Sequence, residues 1–396
     1  MSEADQPEDF NPFKGMPIFG DLGKLFAKQA SSKWETAREI AIAVAVEDGY
    51  EPNVDPIDRR AIEQLTRIAE LQVADITGLS TVRGGEAASI IPSTRSSWAT
   101  ATIKSYKPLL EPIGEASYRS EPREDPLSEI GDPTSAMIGR LMKMIGPTLT
   151  SMTAGSMIGN LATRSLGQYD LPIPRKTSQI LVIPANMHQL TKEWNLDLID
   201  LYLWVCLSEL THHAVLSIPH VQKRMLRLLN TYVSNFETDA TALQDRIRDF
   251  DLDDPKAMTS LESLWGDPEV MLGTMQSPTQ REILPNITAL VSVIAGYVDW
   301  VMDSIGRDII SSYPQLSEAL RRRRVSTTAS HRFIEQMLGL ELNQNHYDKG
   351  TAFVTGVLDR ADKDGLARLW NSARELPTPA EVEAPGLWLA RIDLPD

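Results

Sequence analysis

Apolar residues recur along this chain at intervals of three and four, the spacing that sets side chains on one face of an α-helix. Trp34, Ala37, Ile40, Ala41, Val44 and Ala45 predict a first helix, with Ser31 or Ser32 placed to cap it. Asp55-Pro56 pairs an N-cap with proline at the first helical position. Leu65, Ile68, Leu71 and Val73 continue that helix, and Gly78 ends it. A further helix carries Trp98, Ala101, Tyr106 and Leu110. Residues 81–93 read as a loop. Residues 111–132 are rich in Pro, Glu and Asp, lack any period, and read as a loop or linker. The Met-rich stretch from Met137 to Leu166 predicts a packed helix in which Met fills the core, with Gly155 and Gly159 allowing a close helix approach.

The pattern changes around 170–187. Gln179-Ile180-Leu181-Val182-Ile183 is β-branched and apolar after a proline-marked turn, and it is the one convincing strand. Leu196 to Ser217 is then apolar on nearly all faces, as in a fully buried helix, yet Glu209, His212 and His213 sit within it. A buried ionisable group is costly unless paired, so these three stand out. Val221, Met225, Leu228, Leu229 and Tyr232 mark the next helix. Ser277-Pro278-Thr279-Gln280 has capping-box chemistry and opens a long segment in which Pro285 predicts a kink or a delayed start. Helices near 315–324, 329–340, 347–360 and 364–372 follow, and Thr378-Pro379-Ala380-Glu381 opens a last short one.

Composition narrows the chemistry. The chain has 396 residues with a formal net charge of -15, 42% hydrophobic and 23% charged residues, six histidines and one cysteine. A single cysteine rules out a disulfide framework and any thiolate cluster, so a metal site would need histidine and carboxylate. The acidity argues against nucleic acid as a partner. The basic run Arg321-Arg322-Arg323-Arg324 reads as the solvated end of a helix, where cations suit the dipole. Met144 to Thr163 carries no charge but is too polar and too interrupted to span a bilayer, so no membrane insertion is expected. The acidic start MSEADQPEDF lacks the features of an export signal, which points to a cytoplasmic protein. Residues 1–30 read as a disordered or loosely packed lead. Residues 31–396 read as one mainly helical body, with 111–132 as the place for an internal boundary.

Ser208-Glu209-Leu210-Thr211-His212 is the segment that carries chemistry. In an HExxH zinc site, two histidines four residues apart bind one metal from a single helix face, and the glutamate between them activates the metal-bound water. Here Glu209 and His212 are in register, while the first histidine position is Ser208. His213 points about 100° away from His212 by helical geometry. Cys206 does not share the face of Ser208 and reads as core packing. A Ser208–His212 nucleophile pair has no G-x-S-x-G elbow around it. Arg83-Gly84-Gly85-Glu86 lacks the lysine and the context of a phosphate loop.

The chain as a whole resembles the zincin-like hydrolase family of actinobacteria, often labelled zinc-dependent metalloproteases. The resemblance rests on Val182-Ile183-Pro184-Ala185-Asn186, then Ser208-Glu209-Leu210-Thr211-His212-His213, then Ala295-Gly296-Tyr297-Val298. Leu316-Ser317-Glu318-Ala319-Leu320 with the arginine run, Leu338-Gly339-Leu340-Glu341-Leu342, Leu376-Pro377-Thr378 and Trp388 follow in order. It implies a mainly α (α+β) fold, a zincin-like helical core with a small β element. It also implies a zinc site of two histidines and a carboxylate from the later segment. On that pattern His212 is a ligand and Glu209 the general base, while Ser208 and Ala295 replace the other two ligands. Asp299 lies one turn after Ala295 and is the most reasonable substitute carboxylate. His188 and His220 are more distant candidates.

Two functions from different classes follow. In one, the zinc site is degenerate, no cofactor is held, and the cleft binds or scaffolds an unknown protein or peptide. In the other, the protein is an active zinc-dependent metallohydrolase or peptidase with a rebuilt ligand set that includes His212 and Asp299. Either way, the buried helix near 197–217 is expected to pack on the helix near 286–306 and bring Glu209 and His212 close to Ala295 and Asp299.

Overall fold

The computed structural model describes residues 33–46, 49–83, 85–116, 151–236, 276–326 and 328–394. The expected lead over 1–30, the caps Ser31 and Ser32, and most of the expected linker lie outside the described residues. The described chain is predominantly helical with a small β element. In chain order the elements are α1 (Lys33–Ala45), α2 (Pro56–Thr77), β1 (Val82–Arg83), β2 (Glu86–Ala87), β3 (Ser89–Pro92) and α3 (Arg95–Ala116). Helical residues 151–162 form α4. Then come β4 (Gln179–Val182), α5 (Pro184–Trp194), α6 (Leu198–Leu216), α7 (Pro219–Ser234) and α8 (Pro278–Ile309). The chain ends with α9 (Tyr313–Val325), α10 (Ala329–Leu338), α11 (Gln344–Ala367), a 3₁₀ turn at Arg368–Trp370, α12 (Pro379–Glu383) and α13 (Pro385–Ile392).

Local chemistry sets most of these boundaries. Asp55 accepts from the Ile57 amide at the start of α2, and Gly78 ends that helix in the left-handed conformation, φ 64°. Capping boxes at Ser277–Gln280 and Thr378–Glu381 start α8 and α12. Pro285 falls inside α8, so the expected delay does not occur; the helix already starts at Pro278. The break expected between 360 and 364 is a kink at Asp362, φ 53°, inside α11.

Two expectations are corrected. Residues 81–93 are not a plain loop. Val82–Arg83 pairs antiparallel with Glu86–Ala87, and β3 lies parallel to β4 with Ser89 opposite Gln179 and Pro92 opposite Val182. The predicted strand thus has its partner in the segment that showed no period, because β3 is ordered by β4 rather than by its own sequence. The aperiodic stretch from 111 is helical to Ala116, with Pro108 and Pro112 accommodated in α3.

The buried side chains form one continuous cluster from Ala37 to Ile392, and α6 and α8 run through it. As expected from the small residues of α4, Gly155 lies against the Ala37 backbone and Gly159 against Ala41 and Val44, so a Cβ at either would collide with α1. Gly296 of α8 and Gly350 of α11 meet in the same way, backbone on backbone. Among the described residues one helix, Pro278–Ile309, is long and apolar enough to cross a membrane, and more than half of its apolar window is buried inside the protein. Of the stretch 144–163, residues 144–150 lie outside the described residues; the rest forms α4 and its exit.

Candidate functional site

The site is built where α6 crosses α8. A helix apolar all round has no solvent face, and α6 is buried along almost its whole length. Its few polar side chains therefore either find partners or open onto a cavity. Ser208, Glu209 and His212 of α6 and Ala295, Val298 and Asp299 of α8 all line one cavity of about 160 Å³. The helix crossing thus brings both halves of the sequence pattern together. α9 closes the cavity from one side, and the 164–172 segment closes it from another.

That segment is held tightly. Asn186 donates to the carbonyls of Ala162 at 2.9 Å and Ser165 at 2.6 Å, the Ile183 amide donates to the Leu166 carbonyl at 2.9 Å, and the Trp98 indole donates to the Gly167 carbonyl at 3.0 Å. The result is a turn whose amides point at Glu209. The Gln168 amide donates to Oε2 at 2.9 Å, and the Tyr169 amide donates to both oxygens at 3.1 and 3.2 Å. Gly167 makes this fit possible, since a Cβ there would overlap the Glu209 carboxyl group. Burial, reinforced by the charge of Asp170, pushes the Glu209 carboxyl up to about 8, against the pull of the two amides and Arg175.

His212 is half-buried. Its Nδ1 lies 2.8 Å from the Ser208 carbonyl. A carbonyl cannot donate, so the proton is on Nδ1 and Nε2 is the acceptor in the neutral ring. The ring stacks on Tyr169 at 5.9 Å with planes 9° apart. Burial pushes its pKa below the ordinary value, opposed by the Ser208 carbonyl and the Asp299 charge.

The other candidates have different settings. Asp299 is bound through both oxygens by Arg324, at 3.0 and 2.9 Å, and that guanidinium lies 3.9 Å over the Tyr347 ring. His213 is fully buried, with Nδ1 2.9 Å from the Tyr169 hydroxyl and Nε2 3.3 Å from Ser217 Oγ. His188 lies outside this cavity, 2.9 Å from Asp58 and 3.2 Å from the Tyr202 hydroxyl. His220 does not line the cavity either. Cys206 is buried in the core against Thr66, and burial pushes its thiol up to about 12. Among the described residues no group of three or more His, Cys, Asp or Glu side chains is arranged to hold a metal ion.

Sequence reasoning missed two contributors. Tyr169 ties the site together through the His212 stack and the His213 hydrogen bond. Its only local signal was a Gly-Gln-Tyr-Asp turn between a helix and a proline-rich corner. The arginine run is the second: the expectation of a solvated helix end holds for the exposed Arg321 and Arg322 and is corrected for Arg323 and Arg324. Arg322 does face solvent, paired with Glu318 at 2.6 Å. Arg321, Arg323 and Arg324 line the cavity. The cause is the corner between α8 and α9, where Asp200 accepts from the Ser312 amide at 2.8 Å, Ser312 Oγ at 2.6 Å and Ser311 Oγ at 3.0 Å, pinning the start of α9 onto α6.

With this geometry in view, the comparisons place the chain in a class. Residues 33–389 match the zincin-like metallopeptidase family, and the chain belongs to that family. A crystal structure from Chloroflexus aurantiacus, described as "a putative hydrolase with a novel fold", superposes with a TM-score of 0.60 at 23% identity. The match covers 92% of this chain and 99% of that one, which establishes the shared fold. No curated protein matches the chain.

Proposed function

We propose that this protein is a zincin-family member whose zinc site is degenerate and whose cavity is retained for binding rather than hydrolysis. The observation that carries this reading is the Asp299–Arg324 pair. Asp299 lies one helical turn from the lost ligand position of Ala295, and both of its oxygens are already engaged. The rest of the donor set supports the same reading. Ser208 offers a hydroxyl, a poor zinc ligand, where a histidine is needed. Both Glu209 oxygens accept backbone amides. That leaves His212 Nε2 as one donor of the expected kind, and the residues present do not fit a three-ligand zinc centre.

One observation favours the alternative, an active metallohydrolase. The His212 tautomer, with Nδ1–H on a carbonyl and Nε2 available, is the one a zinc-binding histidine adopts. It would still need Asp299 to exchange Arg324 for a metal. Zinc titration of the purified protein, followed by metal analysis after dialysis, decides between the two. The expected result is no stoichiometric zinc and no peptide hydrolysis. Stoichiometric zinc, with peptide hydrolysis that disappears in Glu209→Ala, would overturn the proposal.

A further inference from the structure

We infer that this cavity binds a small organic carboxylate, with Arg164 and Arg323 gripping the carboxylate and the apolar wall taking the rest of the molecule. The inference rests on the reading of the cavity as a retained binding site and names the ligand class.

The first ground is an excess of donors. Four arginines line the cavity. Arg324 is committed to Asp299, and Arg321 reaches Asp303 at 3.2 and 3.4 Å. Arg323 and Arg164 are different. Arg323 donates to the backbone carbonyl of Arg164, and Arg164 donates to the Ser326 carbonyl at 3.2 Å. Among the described residues neither has a carboxylate within ion-pair distance. A guanidinium has five N–H donors, and each of these two spends one. The remaining N–H groups of Arg164 and Arg323 are thus available to the oxygens of a carboxylate. Burial also pushes the Arg323 pKa down, against the pull of Asp170.

The second ground is the placement of the charged groups. Asp299 and Asp303 are paired with arginines, and Glu335 lies 3.3 Å from His331. Glu209 is turned to the 168–169 amides. Asp170, which accepts the Leu166 amide at 3.3 Å, and Glu193 are the carboxylates whose charge acts on Arg323, and the Arg164 guanidinium opposes them. Two guanidiniums side by side, neither of them ion-paired among the described residues, match the two oxygens of a carboxylate.

The third ground is size and lining. Val205, Val291, Val298 and Met302 supply an apolar wall to a cavity of about 160 Å³. An apolar cavity of roughly 150 Å³ holds a benzene molecule. A carboxylate on a body of that size fits, with His212 and Tyr169 beside it.

Calorimetric titration of the full-length protein tests this with benzoate, its neutral analogue benzamide and phenyl phosphate, each with and without added zinc. The acid is expected to bind stoichiometrically, the amide about tenfold or more weakly, and the phosphate no more tightly than the acid. Arg323→Gln and Arg164→Gln should each weaken the acid about tenfold and leave the amide unchanged, while Arg323→Lys keeps part of the affinity. Equal binding of acid and amide, no binding of the acid, or phosphate binding tenfold tighter than the acid would overturn the inference. The acid–amide comparison on the unaltered protein decides even if a variant fails to fold. If the acid binds only in the presence of zinc, the degenerate-site reading falls and the carboxylate site stands. If neither acid nor zinc binds, the carboxylate site falls and the degenerate-site reading stands.

Discussion

Asp299 and Arg324 meet oxygen for nitrogen, at 3.0 and 2.9 Å, so the substitute ligand of the sequence pattern is the anchor of an ion pair. Bidentate geometry of this kind fixes orientation as well as charge. Removing one partner leaves the other charge poorly solvated, whereas removing both need cost little. Asp299→Ala is therefore expected to destabilise the protein by about 2–4 kcal/mol. Asp299→Ala with Arg324→Met should cost clearly less than the single change. Denaturant unfolding of both variants checks this; a double variant as unstable as the single one would mean the pair is not the relevant unit.

Glu209 makes stability depend on pH in an unusual direction. Its carboxyl titrates near 8 in the folded protein and near 4.5 when exposed. Between those values the folded state holds a proton that the unfolded chain has released. Stability from this group is thus complete below about pH 4.5 and falls as pH rises through 8. Glu209→Gln mimics the protonated form, so its melting temperature should decline less steeply from pH 5 to 8 than that of the parent. Parallel slopes in a thermal melt series would refute the assignment.

Zinc binding should be recoverable by restoring ligands. Ser208 and Ala295 face the same cavity as His212. The double change Ser208→His with Ala295→Glu would supply two histidines four residues apart and a carboxylate from the crossing helix, the set a zincin uses. Metal analysis should find zinc in this variant at one equivalent and none in the parent. Absence of zinc from a folded double variant would show that the scaffold, and not only its ligands, has drifted.

Gly167 and Glu209 should be coupled. A methyl at Gly167 would displace the Glu209 carboxyl from its two amides. Gly167→Ala is expected to cost about 1–3 kcal/mol by overpacking and lost hydrogen bonds. In a Glu209→Ala background the same change has nothing to displace, so the costs should fall short of additivity by about 1 kcal/mol or more. Additive costs in the double-mutant cycle would argue against the contact.

Much of this molecule is legible in its sequence because it depends on neighbours a few residues away. The caps at Asp55, Ser277 and Thr378, the left-handed stop at Gly78 and the all-round burial of α6 are local in this sense. Register within one helix likewise put Glu209 one turn from His212, and the repeated small residues of α4 foretold a close helix approach, though not that α1 would be the partner. What the tertiary structure alone decided depends on segments far apart in the chain. β3 is a strand because β4 is there to pair with it. Which of the four arginines face water was settled by packing: Asp200 pins α9 against α6, Arg323 and Arg324 turn onto the cavity, and Arg321 and Arg322 stay exposed. The occupation of Asp299 by Arg324 and of Glu209 by the 168–169 amides belongs to the same class. Residue types determine which groups are able to ligate, and only the packing determines which of them already have partners.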